Sequence, residues 1–271
     1  MANPLWVVAL LRTFFQARFF FARLTRVPLL GSLMDRWMFR GDRMFLLPRV
    51  QSVEINEPVE PQQQVVLPSR IVDEFIERSR YRWIMNTCIC RESTGCRDYP
   101  VDLGCLFMGE AVLGIHRKLG RLATREEAFE HVRRCRDAGL VHLIGRNRLD
   151  PLWLGIRPGD RLLTVCNCCP CCCLWRMLPD LNPSIAGRFT GLEGVTVLVG
   201  EGCTGCGECL RGVCFVDAIR ILENRAFITE DCRGCGRCVT VCPRRAIRLT
   251  IDGGDRLDNS VDSIGRLTNV G

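Results

Sequence analysis

Cysteine is the residue type in this chain with the greatest capacity for chemistry. The sequence holds 19 cysteines but only three histidines in 271 residues. An odd number of thiols cannot all be used in disulfides, and neighbours in C-x-C and C-C runs cannot easily pair with each other. The composition therefore predicts metal binding by thiolates in a reducing, cytoplasmic compartment, where thiolates persist.

An internal repeat over residues 195–251 carries the strongest signal. Each half has a strand-like run, then C-x2-C-x2-C, then a fourth cysteine followed by an Ala-Ile pair that we expect to start a helix. Three cysteines at this spacing can hold three corners of one cuboidal cluster, and the glycines between them let backbone N–H groups point at its sulfides. The alternative is a pair of zinc sites, but zinc ribbons use C-x2-C pairs rather than triplets.

This repeat resembles the bacterial two-cluster ferredoxin module. The second half fits C-x2-C-x2-C-x3-C-P with Pro243 in place, whereas four residues separate Cys209 from Cys214 in the first half and Phe215 stands where proline is usual. The resemblance implies a βαββαβ fold and two [4Fe–4S] clusters, each with its fourth ligand from the other half. It implies that one cluster is bound by Cys203, Cys206, Cys209 and Cys242, and the other by Cys232, Cys235, Cys238 and Cys214.

Ten further cysteines form two groups without the ferredoxin spacing. One group is Cys88, Cys90, Cys96 and Cys105, and the other is Cys166, Cys168, Cys169, Cys171, Cys172 and Cys173. Adjacent side chains diverge along most backbones, so the six-cysteine run cannot bind one cluster with all its members. We expect three or four of them to be metal ligands. One or two further [4Fe–4S] clusters, zinc, and a redox dithiol site are the alternatives.

Residues 85–175 also resemble, more loosely, a cysteine-rich region that accompanies two-cluster ferredoxin modules in anaerobe-type proteins. The shared pattern is C-x-C-R, a downstream C-L-x-M-G, Gly-Leu-Val-His at residues 139–142, and Cys-Asn-Cys-Cys-x-Cys-Cys-Cys. The resemblance implies additional iron–sulfur clusters. Arg91 either neutralises cluster charge or is solvated, His142 is either a ligand or structural, and Cys135 is expected to be a packed thiol.

Residues 1–53 combine apolar runs with arginine. The apolar run of residues 5–11 is too short to span a bilayer, but Arg12, Gln16, Arg23 and Arg26 share one face of a helix. This pattern predicts an amphipathic helix that attaches residues 1–47 to a membrane surface, with arginines facing anionic headgroups. Docking on a partner and packing on the chain's own core are the alternatives. The net charge is +7, but the sequence lacks the clustered lysine and aromatic residues that would favour nucleic-acid binding.

The whole pattern predicts an α+β protein. Residues 54–68, rich in Pro, Gln and Glu, indicate a linker. A mainly helical cysteine-rich domain is expected over 69–190, the ferredoxin-like module over 194–251, and a loose polar tail over 252–271. Helical spacing begins at Ile71, and Thr124-x-x-Glu127 predicts a capped helix to about Ala138. Short strands are expected over 141–144 and 162–165.

The sequence contains no recognisable catalytic motif besides its cysteines. It has no G-x-G-x-x-G after a strand, no P-loop and no C-x3-C-x2-C loop. We therefore expect an electron-transfer protein or subunit that passes single electrons to a partner oxidoreductase, with substrate chemistry on another polypeptide. The alternatives are an oxidoreductase subunit with a substrate-binding cluster in residues 85–175, and a redox or oxygen sensor.

Overall fold

Short strands and helices make up the computed structural model, which describes residues 2–49, 54–55, 71–251, 254–268 and 270. The strands are β1 Arg43–Leu46, β2 Glu54–Ile55, β3 Arg82–Met85, β4 Leu106–Met108, β5 Gly120–Leu122, β6 Val141–Arg146, β7 Leu163–Cys168, β8 Phe189–Gly191, β9 Val195–Val199, β10 Ile219–Leu222, β11 Arg225–Ile228 and β12 Ile247–Ile251. The helices are α1 Leu5–Thr13, α2 Arg18–Leu24, α3 Leu30–Met34, α4 Ile71–Arg78, α5 Ile89–Thr94, α6 Arg125–Asp137, α7 Leu149–Leu154, α8 Pro183–Ala186, α9 Arg237–Val241 and α10 Gly254–Leu267. The α+β class is confirmed.

A seven-stranded sheet forms the frame of the middle of the chain. Its order is β5-β3-β4-β7-β6-β1-β8, and its pairs are antiparallel except for β1 and β8. The expectation of a mainly helical domain was wrong in this respect. Strands such as β4, which is buried at every position, are short apolar runs without alternation, and periodicity cannot distinguish such runs from helix.

The carboxyl-terminal part has the order β9, a 3₁₀ turn at Glu208–Leu210, β10, β11, α9 and β12. Strand β12 pairs antiparallel with β9 and parallel with β2, while β10 and β11 form a hairpin. The two Ala-Ile pairs precede or begin strands β10 and β12, so the expected helix starts there were wrong. Both runs alternate apolar and charged or polar residues, which is the strand period.

Both ends of the chain are integrated into this fold. Strand β1 lies between β6 and β8 inside the large sheet, and β2 joins the carboxyl-terminal sheet. The expected loose tail was wrong, because α10 covers most of it and buries Val261 and Ile264. These residues are three positions apart and share a helix face, a weak pattern hidden by the polar composition. Residues 56–68 of the expected linker lie outside the described residues.

Several local predictions are confirmed. Helix α4 buries its apolar face on the core. Helix α6 begins at a complete capping box, in which Thr124 Oγ1 accepts from the Glu127 N–H at 3.2 Å and Glu127 Oε2 accepts from the Thr124 N–H at 2.8 Å. Strands β6 and β7 occupy the two short apolar runs, with slightly shifted bounds. The capping box thus fixes the helix that leads into β6.

The amino-terminal helices form a cap over the cysteine-rich side of the sheet; we call residues 4–40 the amino-terminal cap. Helix α1 and the segment Phe15–Leu24, a 3₁₀ turn followed by α2, are bent by 59° relative to each other, with the break at Phe14. Within the described residues, no individual helix has the length and apolar character to cross a bilayer, although this bent pair passes both criteria when its helices are taken together.

The arginines of the predicted polar face, Arg12, Arg23 and Arg26, contact acceptors within the protein. The attachment of this segment to a membrane stays a prediction. Arg12 pairs with Glu92 at 2.7 Å, and Arg23 pairs with Asp180 at 3.0 Å. Arg18 is buried, and its guanidinium lies 4.3 Å from the ring centres of two phenylalanines, Phe15 and Phe19. The outer surface of the cap is instead apolar, with exposed side chains that include Trp6, Leu10, Phe20, Leu29, Leu33 and Trp37.

Candidate iron–sulfur sites

Four cysteines of the carboxyl-terminal repeat surround one cavity, which we call site 1. They are Cys203, Cys206, Cys209 and Cys242. Three come from the loop after β9, and the fourth comes from the end of α9 in the other half of the repeat. The backbone N–H of Ala226 donates to Cys203 Sγ, and that of Ala246 donates to Cys242 Sγ, both at 3.3 Å. Such bonds stabilise thiolates.

The other four cysteines of the repeat surround a second cavity, site 2. They are Cys214, Cys232, Cys235 and Cys238. The N–H of Ala218 donates to Cys214 Sγ at 3.3 Å, four residues on, which repeats the Ala246–Cys242 bond of site 1. Each site thus takes three thiols from one half of the repeat and one from the other. Ligation of clusters by these thiols remains a prediction.

Glycines hold the backbone close around both sites. Gly205 has φ +66°, and a Cβ there would lie 2.5 Å from the Asn224 carbonyl oxygen. Gly234 has φ +65°, and a Cβ there would lie 2.9 Å from Val195 Cγ1. The loops therefore need glycine both for their left-handed backbone and for the space. This cradle of four thiols with inward N–H groups fits a [4Fe–4S] cluster.

The two sites differ in their contact with solvent. Cys206 of site 1 is exposed, and hydrogen bonds from the backbone of Ala226 and Gly205 lower the pKa of Cys203. In site 2, burial raises the pKa of Cys235 to about 11. Leu46 of β1 and Val197 of β9 wall this second site. Since exposure and hydrogen bonds to sulfur set cluster potentials, the two sites would not be equivalent.

A larger cavity of about 550 Å³ lies between the amino-terminal cap and the large sheet. Seven cysteines line it. We call it the six-cysteine cavity after Cys88, Cys90, Cys105, Cys166, Cys168 and Cys173, because the seventh, Cys169, also belongs to a second group of thiols described below. Cys166 and Cys168 are two positions apart on β7 and therefore point to the same face of the sheet. Cys168 Sγ and Cys173 Sγ are 3.2 Å apart. Phe15, Phe39 and Trp37 of the cap form part of the opposite wall.

Protonation of the cavity thiols follows from their packing. The hydrogen bond from Cys90 lowers the pKa of Cys88 to about 6. Burial raises the pKa of Cys173 above its ordinary value. Closely packed thiols cannot all be deprotonated without a cation among them, so metal binding here would release protons.

Arg91 is fully buried beside this cavity, so the solvated alternative was wrong. Its Nη1 donates to the Asn167 carbonyl at 2.8 Å and its Nη2 to the Leu103 carbonyl. Its Nε has no hydrogen-bond partner among the described residues. Burial alone would lower the pKa of Arg91. The charges of Cys88 and Cys169 raise it by more, so the net pKa is above the ordinary value. A buried cation requires an anionic partner, which a thiolate-bound metal centre supplies.

Four cysteines form a closed group beside the cavity, which we call the four-thiol group. They are Cys96, Cys169, Cys171 and Cys172, and their Sγ atoms all lie within 4.8 Å of one another. The structure therefore divides the six-cysteine run of the sequence between two places. Cys166, Cys168 and Cys173 face the cavity, whereas Cys171 and Cys172 lie beside Cys96, and Cys169 contacts both places.

Two other candidate residues lie apart from the cavities. His142 Nδ1 bonds to Asn167 Oδ1 at 2.8 Å rather than to a thiol, and burial lowers its pKa to about 4. Cys135 is buried on α6, where burial raises its pKa to about 12. Both observations favour structural roles.

Two residues near the sites were missed by the sequence analysis. Asp150 on the cavity wall is held by Asn147, Trp153 and Thr164 at 2.6, 3.0 and 2.8 Å. Arg237 is buried at site 2, and its guanidinium donates to the Cys168 carbonyl of the six-cysteine cavity. Its position inside C-x2-C-x2-C indicated that Arg237 lies near a metal-binding loop. No local pattern reveals its contact with a residue 69 positions away.

The family model described as a 4Fe-4S binding domain matches residues 226–248. The matched range contains four cysteines, Cys232, Cys235, Cys238 and Cys242. This match and the many cysteines support an iron–sulfur protein. The match supports [4Fe–4S] binding by a protein of the electron-transfer type. No curated protein and no solved structure shows a significant match to this chain.

Proposed function

We propose that this chain is an electron-transfer protein or subunit with three [4Fe–4S] clusters. Two are held by the crossed cysteine sets of sites 1 and 2, and the third by four thiols of the six-cysteine cavity. When bound, such clusters exchange single electrons with little change in structure. The observation that carries the proposal is the direct contact between Arg237 of site 2 and the Cys168 carbonyl of the cavity.

Contiguous packing supports a relay through the molecule. Cysteines of sites 1 and 2 pack against one apolar cluster, in which Cys209 and Cys238 are buried. A neighbouring apolar cluster includes Cys214 and Cys232 of site 2 together with Cys168 and Cys173 of the cavity. Site 2 therefore lies between the other two. The exposed Cys206 makes site 1 the place where a redox partner docks.

The cavity residues fit an anionic iron–sulfur cluster. Six thiols provide more than the four ligands required. Arg91 provides a buried positive charge, and the aromatic residues of the cap provide an apolar wall. Because the cluster and its thiolates carry net negative charge, the unpartnered Arg91 Nε gains an acceptor when the cluster is present.

Metal analysis of full-length protein purified without oxygen tests this proposal. Three clusters predict about twelve iron and twelve acid-labile sulfide per chain. The variant Cys88→Ser/Cys90→Ser/Cys105→Ser, which leaves only three of the six thiols, should drop to about eight of each, while the control variant of a packed thiol, Cys135→Ala, should keep about twelve. Eight in the parent protein would refute the third cluster, and absorption that does not respond to dithionite would refute the relay.

A second candidate function is supported by the volume of the six-cysteine cavity. At about 550 Å³ it is in the range of small-molecule sites, and it contains the buried Asp150. An oxidoreductase subunit could use this space for a substrate beside a cluster with one open iron. Cyanide distinguishes the two functions, because it should shift the electron paramagnetic resonance signal of a cluster with an open iron and leave clusters with four cysteine ligands unchanged.

We also propose that the apolar outer surface of the amino-terminal cap attaches the protein to a membrane. Trp6 and Trp37 are 67% and 69% exposed, and Leu29 and Leu33 extend the surface. Large exposed apolar patches mark interaction surfaces. Because Arg12, Arg23 and Arg26 contact acceptors within the protein, attachment would depend more on apolar insertion than on headgroup charge.

A further inference from the structure

We propose that the four-thiol group is a structural site for one zinc ion, separate from every iron–sulfur cluster. Its members, Cys96, Cys169, Cys171 and Cys172, are the only described His, Cys, Asp or Glu residues whose ligand atoms form such a closed group.

The spacing of the sulfurs fits a single tetrahedral ion. Cys96 Sγ lies 3.7 Å from Cys171 Sγ, which lies 3.5 Å from Cys172 Sγ. Zinc–sulfur bonds of about 2.3 Å in a tetrahedron place the sulfurs about 3.8 Å apart. The observed separations are therefore close to those around one ion.

Sites 1 and 2 provide a comparison inside the same molecule. Their cysteines surround cavities. Among the described residues, only the four-thiol group has its ligand atoms all within 4.8 Å of one another, so the sulfurs of sites 1 and 2 are spread more widely. A cuboidal cluster places four irons and four sulfides between its thiolates, so its ligands must stand farther apart. The fold thus holds its ferredoxin-type thiols open and the four-thiol group closed.

Backbone donors and nearby arginines prepare the group for thiolate ligands. The N–H groups of Asp98 and Tyr99 donate to Cys96 Sγ, and the Cys172 N–H donates to Cys169 Sγ at 3.3 Å. Zinc with four thiolates carries a net charge of about −2. The buried Arg91 contacts Cys169 through its side chain, which places a positive charge beside that anion.

The position of the group indicates its role. Cys96 follows α5, the helix that starts between the cavity residues Cys88 and Cys90. The other three cysteines lie in the loop between Cys168 and Cys173. One ion would therefore join the two segments that carry five of the six cavity thiols, all except Cys105. A site with four protein ligands and no open position is structural rather than catalytic.

The test compares metal contents of variants of the full-length protein. The parent should contain one zinc per chain. Cys96→Ser and Cys171→Ser should each lose the zinc and keep the eight irons of sites 1 and 2, whereas Cys90→Ser/Cys105→Ser should keep the zinc. Cys135→Ala should keep zinc and iron, although Cys135 is a buried thiol in the same apolar cluster as Cys169 and Cys172. Zinc retained by both four-thiol variants would overturn the assignment.

X-ray absorption at the zinc edge tests the parent protein without any substitution. It should show four sulfur ligands at about 2.3 Å. Nitrogen or oxygen ligands, the absence of zinc, or one iron per chain in excess of sulfide would each overturn the proposal. Loss of the third cluster from the proposed function would leave the zinc spectrum unchanged, so the two proposals fail separately.

Discussion

Arg91 is the residue on which the electrostatics of the cysteine-rich region depend. It touches the six-cysteine cavity on one side and Cys169 of the four-thiol group on the other. The sequence places it directly after Cys90, which suggested a charge-neutralising role. Its complete burial was not predictable, because it depends on carbonyls of Leu103 and Asn167, which come from distant parts of the chain.

Replacing this buried cation should destabilise the metal centres around it. In Arg91→Gln we expect about 3 kcal/mol lower stability, because the buried anions lose their partner. The reduction potential of the cavity cluster should also fall, since a nearby positive charge favours the reduced form. Redox titration followed by electron paramagnetic resonance measures the second effect. The exposed neighbour offers the control, Arg97→Gln, which should change neither quantity; equal effects in both variants would contradict this role.

Asp42 gives the fold a pH dependence of its own. Its Oδ1 accepts from the Arg148 N–H at 2.7 Å, while its Oδ2 has no partner among the described residues. Burial raises the pKa of Asp42 to about 8. The folded state therefore favours the protonated carboxyl, and this contribution to stability is lost as the pH rises toward 8.

We expect the free energy of unfolding to fall between pH 6 and pH 8.5, with a limiting slope of about 1.4 kcal/mol per pH unit for one proton. The melting temperature should fall with it. Asp42→Asn should remove this part of the dependence, because it cannot ionise. The exposed carboxyl of Asp160 provides the control, Asp160→Asn. Calorimetry without oxygen measures all three proteins, and an unchanged slope in Asp42→Asn would contradict the assignment.

At the scale of elements, the conformation of the cysteine loops was more predictable than the sheet that supports them. Cysteine and glycine spacing indicated the loops of sites 1 and 2, because short-range geometry dictates them. The capping box at Thr124 likewise determined α6. The seven-stranded sheet was missed because its strands are three to six residues long and depend on partners far along the chain, as when β4 pairs with β7.

The glycine loop of site 1 can be tested by one added methyl group. In Gly205→Ala, the added Cβ would clash with the Asn224 carbonyl oxygen, and alanine would also have to adopt a left-handed backbone conformation. We therefore expect loss of about four irons per chain. Gly212 has φ +67° but open space around its Cβ position. Gly212→Ala should therefore cost only about 1 kcal/mol of stability and retain all iron. Iron lost equally from both variants would contradict the steric explanation.

On the scale of the whole molecule, the amino-terminal segment is part of the fold rather than an appendage. Strand β1 completes the large sheet, and Leu46 reaches site 2. The sequence pattern correctly favoured helices in this segment but could not show which face is covered. Arginines on one helical face suggested headgroup contact, whereas partners such as Glu92 and Asp180 come from elements that helical periodicity does not reveal. Deleting residues 1–47 would therefore remove a central strand and cannot test membrane attachment.

Surface substitutions provide a test that preserves the fold. We expect the parent protein to float with vesicles containing phosphatidylglycerol, even in 0.5 M salt. The variant Trp6→Gln/Phe20→Gln/Leu33→Gln should bind at least tenfold more weakly, since each large apolar side chain contributes about 1.5 kcal/mol on burial. None of the three lines the six-cysteine cavity. Flotation abolished by salt, or retained in this variant, would contradict apolar insertion.

The carboxyl-terminal module offers a matched control surface. Leu198, Leu222 and Phe227 are also exposed large apolar residues. The variant Leu198→Gln/Leu222→Gln/Phe227→Gln should bind vesicles as the parent does. Weaker binding here would show that apolar area anywhere on the surface suffices.

The parallel pairing of Met44 with Phe189 has a consequence for biosynthesis. Translation makes the outer wall of the cavity first and the thiols of its inner wall later. The strand that anchors the wall acquires its last neighbour only when β8 has left the ribosome. The proposed cluster of the cavity would therefore be inserted most easily in the interval after its thiols are made and before β8 pairs with β1.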